Sequence, residues 1–343
     1  MASRGKDARD TATRGAEACE TEASGAMSGS ATVTHCTEAS DTAASDTSPR
    51  ALASRDTTPR VPAITLRRLL SLLATTARMD LFWLLLDWRL SLVVICTDLI
   101  TNIASVTHVF FLAWRFGGVG GMSLWEVVFM LGYVTCVTGV YQLFCAGANT
   151  GHISRVIGRG QIDHMMIQPL PVYAQLLTSG FAPFTGSQNI LAGIGIFTWA
   201  SRKLSLQIGP LFVAGIIGYL LVSLAIIIGL SYLCGSLAFR WQVAFEEIST
   251  LVIDDLTGML GNFPLSGMPV PAQWALITVI PAGLLGWFPA CVMLGKPPLG
   301  LSAFYPLLVA IVIWTLAALC FKSGWRYYVN NGSNRYFDGG FRR

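Results

Sequence analysis

Charge is scarce in this chain. Asp, Glu, Lys and Arg make up 12% of its 343 residues, while 53% are hydrophobic. A soluble domain carries roughly 25% charged residues, so too little charge remains here to cover a water-facing surface. With a mean hydropathy of +0.57, the chain reads as an integral membrane protein. Paired cysteines are lacking as well. Eight cysteines occur, none in CxxC spacing and most inside apolar runs. They read as small buried hydrophobes, not as a disulfide framework or a metal site. Signatures of nucleotide binding and hydrolysis are missing: there is no GxxxxGK[ST], no HExxH and no GxSxG. "GRGQID" contains glycines but lacks the fingerprint spacing and follows no strand. Asp254 and Asp255 are adjacent carboxylates, but neighbours on a helix point about 100° apart, poor geometry for a catalytic dyad. No nucleophile stands with a plausible base, so the residues point away from an enzyme.

Aromatics are absent from residues 1–60, a stretch rich in Ala, Thr, Ser, Asp and Arg. Such a segment buries too little apolar area to offset its ordering entropy and is expected to be a disordered tail. No apolar region follows a basic start, which excludes a secretory signal. The acids Asp7, Asp10, Glu17, Glu20 and Glu22 argue against a transit peptide. A solvated tail and an over-called start codon both fit.

What is present beyond residue 60 is a series of apolar runs. Over 64–79, Leu66, Leu69, Leu70 and Leu73 share one helical face and Arg67, Arg68 and Arg78 lie off it, the pattern of a basic amphipathic helix on a membrane surface. The run 81–114 exceeds the roughly 20 residues needed to span. Asp87 and Arg89 predict a bend there, with the span at about 90–113. Asp98 and His108 then lie in or near it, and ionisable groups in a membrane are functional candidates. "GGVGG" (117–121) predicts a turn. Further spans are expected at 124–147, 184–201, 209–237 and 301–321. Residues 248–290 differ: an apolar piece holding Asp254 and Asp255, a break at "NFPLSGMPVP", then a second apolar piece. This pattern predicts a broken or re-entrant helix pair. Basic residues concentrate in the segments that face one side if the N-terminus is cytoplasmic. The expectation is therefore an all-α protein of six spans, with both ends and 150–183 cytoplasmic, a transmembrane domain over 61–330 and a short tail at 331–343.

One polar, helix-sized stretch interrupts the apolar runs: "SRVIGRGQIDHMMIQPLPVYAQLL", 154–177. Ile153, Val156 and Ile157 share one helical face. Arg155, Arg159 and Asp163, spaced by four, share another. Gly160 suits a helix end or a tight packing point. Pro169 and Pro171 stop any helix and make "IQPLP" a stiff elbow. Two readings fit these residues equally, a dock for a soluble partner and an interfacial helix with no partner.

"VIGRGQIDHMMIQPLPVYAQLL" resembles the signature of ABC-2 family permeases, with Arg159, Gly160, Asp163, Pro169 and Leu170 matching to within one position. "NFPLSGMPVPAQWALITVIPAGLLGWFPACVMLGK" (262–296) and "FKSGWRYYVNNGS" (321–333) resemble two further motifs of that family, in the same order, and the likeness covers about 64–330. Gln161 stands where an acid is usual, Gln168 where a base is usual, and Trp325 where Leu is common. The resemblance implies a dimer of six-span subunits, homo- or heteromeric, with a separate cytoplasmic ATP-binding subunit on each. ATP and Mg would belong to that partner, not to this chain. Residues 150–168 would be the coupling helix, with Arg155, Arg159, Gly160, Asp163 and Pro169 as its site residues. The 64–79 helix would be the connecting helix, and 248–290 would line the outer gate or the dimer interface. Partners are thus the ATP-binding subunit, a second permease and membrane lipids, with no nucleic acid. Two other readings stay open: an ion-coupled secondary transporter using Asp98, Asp254 or Asp255, and a membrane scaffold or immunity-type protein. No internal repeat supports the former. Apolar spans suit a lipid, drug or peptide as cargo, and the sequence does not choose among them.

Overall fold

Long apolar runs punctuated by Asp, Gly and Pro dictate long helices with abrupt ends. A computed structural model describes residues 65–145 and 151–332. The expected tail at 1–60 and nearly all of that at 331–343 lie outside the described residues. Everything described belongs to one compact unit, Pro59–Arg343.

Helix α1 spans Leu66–Leu86, continuing past the expected end at Met79. Asp87 ends it with φ −125° and ψ 65° and caps α2 (Trp88–Phe116), its carboxylate accepting from the Leu90 N–H at 3.4 Å. The bend therefore falls at Asp87 as expected. Gly117, at φ 69°, closes α2 in the left-handed conformation. The glycine run then folds as more than a turn. Strands β1 (Gly118–Val119) and β2 (Met122–Ser123) pair antiparallel. Gly120 and Gly121 join them, both at positive φ, as a tight two-residue hairpin demands.

Helix α3 (Leu124–Cys145) is apolar all round and is the most buried of the long apolar helices among the described residues. Three short helices follow, α4 (Ile153–Gly158), α5 (Gln161–Ile167) and α6 (Val172–Ser179). Helix α7 (Pro183–Lys203) returns along α3. Glycine makes this contact close. A Cβ at Gly132 would sit 2.6 Å from the Phe197 nitrogen, one at Gly139 2.5 Å from the Ile190 nitrogen, and one at Gly193 2.6 Å from the Cys136 nitrogen. The two backbones thus touch directly, the mode that small residues permit. Asn189 of α7 also donates to the Gln142 side-chain carbonyl of α3.

Helix α8 (Pro210–Gly235) pairs with the last long helix, α13 (Tyr305–Asn331). The Trp314 indole N–H donates to the Ala225 carbonyl at 2.9 Å and the Tyr219 hydroxyl to the Ala303 carbonyl at 3.0 Å. Between them the chain is broken more often than expected. α9 (Ile248–Thr250) runs into a π-helical stretch, Leu251–Thr257, and then α10 (Gly258–Gly261). After the Pro/Gly break come α11 (Val270–Thr278) and α12 (Trp287–Met293). A second break near Pro281 bends α11 against the stretch Pro281–Met293 by 75°. Proline at 264, 269 and 281 removes the donors that a continuous helix would need.

Among the described residues five helices, α1, α2, α3, α8 and α13, are long and apolar enough to cross a membrane, and the bent pair would make a sixth. Five or six spans thus stand against the six expected, and the identities shift. α1, expected on the surface, qualifies; α7, expected to span, does not. α7 carries Ser187, Gln188, Asn189 and a basic end, and of these Asn189 is buried against α3. Two apolar clusters result. The larger joins α3, α8, α13 and the bent region. The smaller gathers Ile153, Val156, Ile157, Ile162, Leu176, Ala238, Phe239 and Tyr328 beneath the short helices.

Candidate functional site

The polar stretch at 151–180 folds as a helix–turn–helix with an elbow. Only Gly160, at φ 68°, lets α4 turn into α5 within two residues; an L side chain there would be strained. The single helix over which Arg155, Arg159 and Asp163 would share a face is therefore split in two. Ile153, Val156 and Ile157 do lie on one inward face and are fully buried. Gln168 is extended before Pro169, with ψ 147°, as the proline requires. Buried Gln175 ties the elbow shut from below, donating to the Met165 carbonyl at 2.9 Å and the Leu170 carbonyl at 2.8 Å.

The three charged residues are all engaged within the chain. Arg155 forks onto Glu247, with Nε 3.0 Å from both carboxylate oxygens and an outer nitrogen at 2.5 Å. Arg159 bonds Glu246 at 2.9 Å and reaches Glu247 at 3.4 Å. The Tyr328 hydroxyl of α13 donates to Asp163 at 2.7 Å. The Arg155 guanidinium holds the Glu247 carboxyl below its usual range, and Glu247 in turn raises Arg155. These side chains fasten α4 and α5 to the 246–249 turn and to α13. What faces outward is the far end of α5 and the elbow: His164, Met166, Gln168, Pro169 and Ile167, the last 81% exposed.

A buried polar seam runs under α4. The Ser154 hydroxyl donates to the Glu246 carbonyl at 2.8 Å and accepts from the Ser249 N–H at 3.0 Å. The Ser249 hydroxyl donates to the Ser231 carbonyl at 3.1 Å, and the Ser231 hydroxyl donates to the Gly151 carbonyl. His152 sits at its end. One ring nitrogen is 3.2 Å from the Thr250 hydroxyl and the other 3.9 Å from Asp254. Burial lowers the His152 pKa, against the opposing pull of Asp254. His152, Tyr328 and the serines escaped the sequence reading. Glu246 and Glu247 were visible as acids in a polar connection, with nothing to say what they would meet.

Of the three acids expected in or near the membrane, Asp254 lines a cavity. Asp254 lines a cleft of about 730 Å³ with Thr101, Asn102, His108, Thr135 and Asn262. Asp98 lies exposed on α2 and is not among the residues lining that cleft. The side chain of Asp255 is outside the described ones. Asp254 therefore connects the cleft to His152, and through Thr250 and Glu247 to Arg155.

Residues 99–332, running from α2 to the end of α13, match a family model described as ABC-2 family transporter protein. Among curated proteins and among solved structures, nothing matches. The match takes in the glycine-packed α3–α7 pair, the fastened α4–α5 turn and the bent pair, and it covers well over half of the 343 residues. A mostly helical integral membrane chain with these parts in this order belongs to the ABC-2 family of transporter proteins.

Proposed function

We infer that this chain is the membrane-spanning permease subunit of an ABC-type exporter, driven by a separate ATP-binding subunit that carries the ATP and Mg. The two permeases of a dimer, alike or different, would each seat one such subunit on the cytoplasmic side, where both termini would also lie. One observation carries the reading: α4 is clamped to the 246–249 turn and α5 to α13, while the tip of α5 and the elbow are left facing outward. A push on that tip reaches two different parts of the transmembrane region. In this reading the contact surface is Met166, Ile167, Gln168 and Pro169. Arg155, Arg159, Gly160 and Asp163 hold it in position rather than touching the partner. Two neutral glutamines at 161 and 168, where charges are usual, fit an apolar contact. ATP then shifts the permease only as far as the partner's closed state binds this surface better than its open state does.

The test is co-purification from native membranes in mild detergent. Wild type should bring down a stoichiometric P-loop ATPase. Ile167→Asp should lose it with insertion and yield unchanged. Absence of any ATPase from a well-folded wild-type preparation would overturn the reading. Ion coupling through Asp254, which lines a polar cleft, would then be the reading to pursue, by assaying transport against an imposed proton gradient.

A further inference from the structure

A second cavity lies beside the α5–α6 elbow and belongs to none of the machinery above. It holds about 510 Å³, within the roughly 300–1,000 Å³ typical of small-molecule sites. Its walls are aromatic: Tyr173 of α6, Tyr232 of α8, and Trp314, Phe321 and Trp325 of α13. Tyr232 packs on Phe321 at 5.2 Å between centroids, and Phe321 stacks on Trp325 at 6.3 Å. Ile162 of α5 contributes to the wall on the elbow side. Lys322 also lines the cavity, and Arg326 follows it by one turn on the same face of α13. Both are exposed, and among the described residues neither pairs with a carboxylate. Arg155, Arg159 and Lys296, by contrast, are paired.

We propose that this cavity seats one anionic phospholipid from the leaflet at that end of the molecule, its acyl chain among the aromatic rings and its phosphate on Lys322 and Arg326. Three observations choose this occupant. The cavity is apolar and opens beside the C-terminal half of α13, a helix long and apolar enough to cross a membrane. Trp and Tyr favour the headgroup level, and Lys and Arg there reach toward the phosphates. Lys322 on the cavity wall and Arg326 one turn beyond it, neither paired with a carboxylate among the described residues, favour an anionic headgroup over a zwitterionic one. The bound chain would touch α5 and α6 on one side and α13 on the other, and so brace the elbow against the last span. The proposal holds whether or not the functional reading above does, and it is tested on this chain alone.

The full chain is reconstituted in nanodiscs of phosphatidylcholine with and without phosphatidylglycerol. Retained lipid is counted by native mass spectrometry, and hydrogen exchange is followed over 161–179. Wild type should retain phosphatidylglycerol several-fold over phosphatidylcholine, with slower exchange in α5 and α6. Lys322→Glu should abolish the preference. Ala318→Trp, which fills the cavity from an exposed position on α13 and keeps both cations, should abolish retention itself. Arg202→Glu, a basic residue at the end of α7, should change neither. Undiminished retention in Ala318→Trp, or equal retention of the two lipids by wild type, would overturn the proposal. Retention without slower exchange would overturn the bracing.

Discussion

Gly160 concentrates the most structure on the fewest atoms. Its φ of 68° lets α4 become α5 within two residues, and an alanine there costs roughly 1–2 kcal/mol in the left-handed region. Gly160→Ala should lower the thermal midpoint in detergent by several degrees, while Gly117→Ala should also lower it but leave protection of 153–167 against hydrogen exchange intact. The Arg155–Glu247 fork is half exposed at its acid end, which limits its coupling to about 1 kcal/mol or less. A double-mutant cycle on Arg155→Ala and Glu247→Ala should measure a coupling of that order, and the charge swap Arg155→Glu with Glu247→Arg should restore part of it. At this scale the sequence was informative wherever backbone chemistry is local. Gly160 as a helix end, the extended residue before Pro169 and the capping bend at Asp87 all follow from residue type. The partners of Arg155, Arg159 and Asp163 lie 87 or more positions away, and no local rule reaches that far; Asp163 and Tyr328 alone are 165 residues apart.

Among the elements, the α3–α7 pair is held by the absence of side chains. Gly139→Ala would place a methyl 2.5 Å from the Ile190 nitrogen, and overpacking of this kind costs about 1–3 kcal/mol. Gly139→Leu should push the helices apart. The expected outcome is a thermal midpoint lowered well beyond that of Gly215→Leu, a position on α8 with open space around it. A midpoint equal to that control would show that the helices do not meet at Gly139. The pair also explains why span identities were hard to read. Apolar length alone promotes α1, which has little buried against it, and demotes α7, whose Asn189 is buried against a neighbour. The break at 262–271 was legible from its prolines and glycines. The second break, at Pro281, was masked by the apolar residues on both sides of it.

For the whole molecule, pH is the readiest probe. Burial depresses the pKa of His152 from its ordinary 6.5, so the unfolded chain takes up the proton first. Its contribution to stability is complete above pH 6.5 and is lost as pH falls below that value toward the folded pKa. Glu247, depressed by Arg155 from its ordinary 4.5, adds a second loss as pH falls below 4.5. Melting followed from pH 8 to 5 should show a declining midpoint, and His152→Gln should flatten that decline. An identical slope in the variant would remove His152 from the account. The seam from Arg155 to Asp254 is the feature least accessible to sequence, because every member is an ordinary polar residue whose meaning comes from its neighbours. Mechanically, the same arrangement has a plain consequence. Any load on Ile167 acts at the end of a short lever whose fulcrum is Gly160. One arm is hooked to Tyr328 by a single hydroxyl, and the other is bolted to Glu246 and Glu247 by two guanidinium forks. The two arms divide the same torque unequally, so releasing the hydroxyl should let α13 slip while α4 still turns with the 246–249 loop.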